Sequence, residues 1–162
     1  MLCNDVYLII INYKVIDYTE FDRNTSEILN LPQRCVFVLV VHRDGKSLEF
    51  AYPPQLKGNI IPVDHKTLPG RAVISKRSYI SNSVGEEKTV FLFDWLINMG
   101  TTQVQKMITY PVMFGDKVVA VLQVTRRGVS VSEAGPDFES GDLEKIQSIL
   151  DDFLTPHLAK SA

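Results

Sequence analysis

The stretch ITYPVMFGDKVVAVLQV, Ile108 to Val124, decides the fold. Two apolar runs, Lys106 to Phe114 and Lys117 to Thr125, meet across Gly115-Asp116, a pair that suits a tight two-residue hairpin turn. Pro111 cannot donate to a ladder, so part of the first strand is expected at a sheet edge or bulge. The second run, KVVAVLQVT, is apolar almost throughout and is expected to lie centrally, covered on both faces.

Working upstream, Cys35 to Val41 (CVFVLVV) is another apolar, β-branched run and reads as a second doubly buried strand. His42 to Lys46 contains Asp44-Gly45 and reads as a turn, and Leu48 to Tyr52 (LEFAY) is the returning strand, stopped by Pro53-Pro54. Before them, Tyr18, Phe21, Ile28 and Leu29 recur at helical spacing, and Asn30-Leu31-Pro32 ends that helix, because a residue before proline disfavours the helical region. Leu68 to Ile74 opens a short helix with Pro69 in its first turn. Ser78 to Ser81 is a short strand. Residues 84–105 are the variable part, with an apolar knot VFLFDWLI from Val90 to Ile97.

Downstream, Leu143, Ile146, Ile149, Leu150, Phe153 and Leu154 stand at spacings of three and four, a closing helix from Ser140 to about Ala159. Ser140 is the expected cap, with Asp142 and Glu144 at the positive end of the helix dipole.

The chain has 162 residues, 45% hydrophobic and 22% charged, which suits one domain with a core. A net charge of −2 without a dense basic run excludes the electrostatic footprint of a nucleic-acid or anionic-membrane binder. Arg126-Arg127 reads as a solvated strand end. The run Val6 to Ile11 is far shorter than the ~20 residues of a membrane span, and the start MLCND lacks the basic character of a secretory signal, so a cytoplasmic location is expected. The two cysteines, Cys3 and Cys35, make neither a disulfide framework nor a CxxC motif, and Cys35 reads as a small buried hydrophobe. Residues 1–30 are taken as an N-terminal helical segment for packing or dimerisation and residues 31–162 as the domain proper.

Three stretches in order resemble the GAF domain family: LPGRAVISKRSYISNSV (Leu68 to Val84), the hairpin Ile108 to Val124, and FESGDLEKIQSIL (Phe138 to Leu150). The resemblance implies an α+β fold, a central antiparallel sheet of five or six strands. Terminal helices would lie on one face and a loop-rich cover with a ligand pocket on the other. Strands apolar on both faces also need two covers, and the terminal helices supply only one, so residues from about Pro53 to Met107 must supply the other.

No catalytic constellation is visible. His42, His65 and His157 stand far apart without metal-ligand spacing, and there is no GxGxxG, phosphate loop or GxSxG elbow. No cofactor is evident. The family's bilin-binding members attach the chromophore through a cysteine near the cover, and its methionine-sulfoxide reductases use cysteines of the ligand side. Cys3 and Cys35 lie in neither place, which speaks against a covalent bilin and against that reductase chemistry. Cyclic-nucleotide-binding members carry Asn-Lys, Phe and Asp-Glu after the last strand; Arg126-Arg127, Phe138 and Asp142-Leu143 are a partial echo only.

The candidate ligand-binding residues are therefore Phe91 and Trp95 (with Phe93) in the cover, where aromatics could stack on a planar ligand, and Ser81, Asn82 and Ser83 at the pocket rim. Tyr110 is added as an inward-pointing strand residue and Arg71 as a partner for an anion. Core packing, turn capping and an exposed helix arginine are the structural alternatives for these positions. The expected role is a non-catalytic regulatory domain that senses a small molecule and relays it through its terminal helices to an output module, such as a histidine kinase, cyclic-dinucleotide enzyme or transcription activator. The alternative is a ligand-free homodimerisation module built on the terminal helices.

Overall fold

The computed structural model describes residues 17–32, 35–86 and 103–160, without the side chains of 154–160. Helix α1 (Tyr18–Ile28) is followed by strands β1 (Val36–Val41), β2 (Ser47–Tyr52) and β3 (Ile60–Pro62), helix α2 (Leu68–Ser75) and strand β4 (Tyr79–Ser81). A 3-10 turn (Val84–Glu86), the long strands β5 (Gln103–Phe114) and β6 (Lys117–Gly128), and helix α3 (Ser140–Lys160) complete the order. One six-stranded sheet in the order β3-β2-β1-β6-β5-β4 is antiparallel throughout. The short edge strand β3, beyond Pro53-Pro54, has too little apolar pattern to be read from sequence.

Strand β6 is central, paired with β1 on one side and β5 on the other. Gly115 supplies the left-handed turn residue (φ 62°) between β5 and β6, with Phe114 opposite Lys117. Pro111 pairs with Val121 on β6, while β4 reaches only as far as Thr109 on the other side. Its missing N–H thus falls where β5 has no second neighbour among the described residues, as the proline rule requires.

Two cores lie on the two faces, and β1 divides between them residue by residue. Val36, Val38 and Val40 join Phe21, Leu29, Phe138, Ile146, Ile149 and Leu150 beneath α1 and α3. Phe37, Leu39 and Val41 join Leu56, Ile61, Leu68, Ala72 and Val84 from the cover. This is the period of two that a strand imposes on its side chains. The cover elements hold tightly at Gly70, where an added Cβ would lie 2.2 Å from the Asp64 carbonyl oxygen. Thr67 caps α2 by accepting from the Gly70 N–H at 3.1 Å.

The helix ends differ in detail from the sequence expectation. Asn30, in the left-handed region (φ 52°), ends α1: its N–H donates to the Glu27 carbonyl and the Leu31 N–H to that of Ser26. That is a Schellman motif with asparagine in the glycine position, and it stops the helix before Pro32 does. At α3, Ser140 is the first helical residue rather than the cap, and Asp142 reaches back to accept from the Glu139 N–H at 2.9 Å. Tyr52 ties α1 to β2 by donating to buried Asp22 at 2.7 Å, and Ser26 donates to the other carboxylate oxygen at 3.1 Å.

The solvated reading of Arg126-Arg127 is overturned. Strand β6 runs through both residues, and Arg126 is only 7% exposed. It donates to the carbonyls of Leu29 (3.2 Å) and Asn30 (3.3 Å), the negative end of α1, and its guanidinium lies 4.8 Å from the centre of the Phe138 ring. The cause is register: Arg126 pairs with Lys106 on β5, and both reach under the loop before α3. Lys106, 3% exposed, donates to the Gly135 carbonyl and to Asp137, both at 2.7 Å.

Gly70→Ala is expected to lower stability by about 1–3 kcal/mol, because the backbone of the 64–67 loop must move. Urea unfolding checks it; an unchanged midpoint would contradict the close packing of α2.

Candidate functional site

Strand register decides which side chains share the cover face. Phe37 pairs with Gln123, Gln123 with Thr109, and Thr109 with Tyr79, one row across β1, β6, β5 and β4. Phe37 belongs to the cover-side core and Tyr79 packs against it, which fixes the side of the row. A neighbouring row holds Thr125, Met107 and Ser81. Thr125 closes it onto β1, its N–H and hydroxyl both donating to the Cys35 carbonyl at 2.8 and 3.1 Å. Two residues on, Arg127 holds its guanidinium 5.9 Å from the Phe37 ring centre, and burial lowers its pKa.

Gln123 is the unusual member. It is 1% exposed, its Nε2 donates to Thr109 Oγ1 at 3.2 Å and approaches Met107 Sδ at 3.0 Å, and its Oε1 has no partner among the described residues. Rotating the amide by half a turn would let Thr109 donate to the oxygen and would orphan the nitrogen instead. Either way one end of a buried amide stays unpaired, at a cost of about 1–3 kcal/mol. The row therefore offers a planar aromatic at each end, a hydroxyl, and an amide that still wants a hydrogen-bond partner.

A concavity lies at the hairpin end of the sheet, away from these rows, an open cleft of about 570 Å³ between the β1–β2 turn, the β5–β6 turn and the end of α2. Val41, Val73 and Val118 floor it. Its rim sets Arg43, Lys76 and Lys117 against Asp44 and Asp116, and His42 stands 2.9 Å from Glu49. The opposed charges nearly cancel, so this cleft favours no ligand class.

The sequence-selected residues are dispersed. Ser81 is buried in the second cover-face row. Asn82 turns to the other layer, donating to the Phe138 carbonyl at 3.1 Å and accepting from the Phe138 N–H at 2.8 Å. The Ser83 carbonyl accepts from the Glu86 N–H within the 3-10 turn. Tyr110, expected to point inward to the pocket, packs against the helix-side core and donates its hydroxyl to Gln147 on α3. Burial, and then the Asp151 charge, raise its pKa. Arg71 braces α2, its Nε donating to the His65 carbonyl at 3.0 Å. Phe91, Phe93 and Trp95 lie outside the described residues. The cover-face residues Gln123, Thr125 and Arg127 left one trace in the sequence, polar side chains at every second position of the strand's second half, although Arg126 between the last two blurs it.

Among the described residues no three His, Cys, Asp or Glu side chains converge as a metal site, and no helix is long and apolar enough to cross a membrane. Cys35 is 3% exposed, and burial pushes its thiol pKa up. In a Cys3→Ser background, Cys35 is expected to resist a thiol-specific reagent in the native state and to react only on unfolding. Rapid native labelling would contradict this burial.

A family model described as GAF domain matches residues 21–153. Solved structures agree on the fold. The GAF domain of an Acinetobacter phosphoenolpyruvate-protein phosphotransferase is 13% identical with a TM-score of 0.62, covering 99% of this chain and 91% of that one. The GAF domain of a two-component sensor histidine kinase from Bacillus halodurans is 15% identical with a TM-score of 0.58, covering 86% and 92%. The reduced form of fRMsr of Staphylococcus aureus is 20% identical with a TM-score of 0.52, covering 93% and 88%. No curated protein matches the sequence. With the matched residues running from α1 into α3, the chain belongs to the GAF domain family.

Proposed function

We propose that the chain is a non-catalytic regulatory domain that senses a small molecule on the cover face of β6 and β5. The observation that carries this reading is the Gln123 amide, fully buried in the row Phe37–Gln123–Thr109–Tyr79 and left with one end unpaired. A buried polar group kept at a stability cost is a common mark of a functional position. The ligand class proposed is a planar molecule able to hydrogen-bond the amide, with an anionic group that would face Arg127. Ser81 is the rim residue of the original set that stays with this site, and Phe91 and Trp95 remain proposed contributors from the cover. The signal leaves through α1 and α3 toward an output module in a longer protein, for which a histidine kinase, a cyclic-dinucleotide enzyme or a transcription activator is proposed. Burial of Cys35 favours the non-catalytic reading, since thiol chemistry needs an accessible thiolate.

A homodimer through the terminal helices is the second proposal. The apolar stripe of α3 (Leu143, Ile146, Ile149, Leu150, Phe153) faces its own sheet, and Glu144, Lys145, Gln147, Asp151 and Asp152 are exposed. A dimer joint on the described part of α3 would therefore be polar. Light scattering over a dilution series decides, and a monomer at high concentration would remove this reading.

The sensing site is tested by thermal shift with nucleotides, haem, tetrapyrroles and small acids. A binder at a hundredfold excess over its Kd adds about 2.7 kcal/mol, several degrees at this chain length. Gln123→Met should leave the ligand-free melting temperature unchanged or raised and abolish the shift given by any binder found. A clear loss of stability with the shift retained would contradict the assignment of Gln123, and a flat response across the panel would count against sensing.

A further inference from the structure

The segment that leaves the cover and the segment that starts α3 are joined by one residue. Asn82 follows Ser81, whose place is in the cover-face rows, and precedes Val84, which is buried in the cover-side core. Its side chain, however, reaches past the β4 edge of the sheet to hold both backbone groups of Phe138. Phe138 is buried in the other core, two residues before α3 begins. Its ring is covered by the Arg126 guanidinium, whose two terminal nitrogens donate to the Leu29 and Asn30 carbonyls just past the end of α1. Lys106 fixes the preceding loop at Gly135 and Asp137.

Phe138 is thus the meeting point of the cover, the exit of α1 and the entrance of α3. A two-pronged amide clamp is lost as a unit: shifting the 82–84 backbone breaks the donor and the acceptor together. Once it is lost, the unpaired N–H and C=O of Phe138 need water, which favours lifting the ring from under Arg126. Arg126 then keeps its bonds to the Leu29 and Asn30 carbonyls but loses the ring beneath it. The structure shows the ring seated under Arg126; a released ring would be the second of the two states that transmission between distant parts of a fold requires.

We propose that Asn82, Phe138 and Arg126 form a latch that couples displacement of the cover at residues 82–84 to both terminal helices. It rests on the sensory reading for its purpose, but its test needs no ligand. A failed latch leaves the cover-face site standing, and a flat ligand screen leaves the latch standing.

The test is native-state hydrogen exchange on Asn82→Ala, on Arg126→Gln and on the double variant. Asn82→Ala should speed exchange about tenfold or more at residues 143–147 of α3 and at Leu29 and Leu31 in the α1 exit, none of which Asn82 touches. Amides of the β1–β2 hairpin should keep the wild-type rate. The double variant should exchange at the same sites no faster than the quicker single variant, because one latch opens only once. Acceleration confined to Phe138, uniform acceleration across the chain, or additive effects in the double variant would each overturn the proposal. Should Asn82→Ala fail to fold, Asn82→Asp keeps the acceptor for the Phe138 N–H and loses the donor, and the same sites are read against the same outcomes.

Discussion

Strand β6 has two edges and two faces, and all four are in use. Its edges pair with β1 and β5, so its twelve residues must stay extended and in register. Its faces look into different cores: Ala120, Leu122 and Val124 toward the helices, Val118 and Val121 toward the cover. A strand so placed leaves no side free for water, and burying it requires a cover on each face. The rest of the chain supplies those covers, α1 and α3 from the ends and residues 53–86 with α2 from the middle.

The same alternation separates two polar systems that the strand carries near its end. Arg126 points into the helix layer and joins the exit of α1 to the entrance of α3. Gln123, Thr125 and Arg127 point into the cover layer. Neighbours in sequence thus serve opposite faces, and a small shift of the strand is felt on both. Arg126 is buried against the negative end of a helix and an aromatic face, with the carboxylate of Asp142 nearby, so its charge is compensated although burial lowers its pKa. Gln123 lies among apolar and hydroxyl neighbours and is compensated only in part.

Much of the architecture was legible because it follows from apolar period. The runs around β1, β5, β6 and α3 are long and strongly patterned, and Gly115 and Gly45 mark their turns. The edge strand Ile60–Pro62 was not legible, since three residues carry no period. Nor was the burial of Arg126 and Lys106: their partners are the α1 carbonyls and the 135–138 loop, contacts that only the folded register creates. The site was harder still. Tyr110 and Asn82 have the chemistry of ligand contacts, but parity turned one to the helix layer and chain direction turned the other to Phe138. Gln123 carried the better signal, a polar residue that follows the apolar run Val118 to Leu122. It passes unnoticed unless the strand is taken as buried on both faces.

The central claim is that the unpaired end of the Gln123 amide marks the site on the cover face. A high-resolution crystal structure tests it most directly, by what stands against that amide. An ordered polar atom, from water or a ligand, is expected about 2.7–3.2 Å from the unpaired end. An apolar side chain packed against the unpaired end, with no polar atom in reach of it, would contradict the claim.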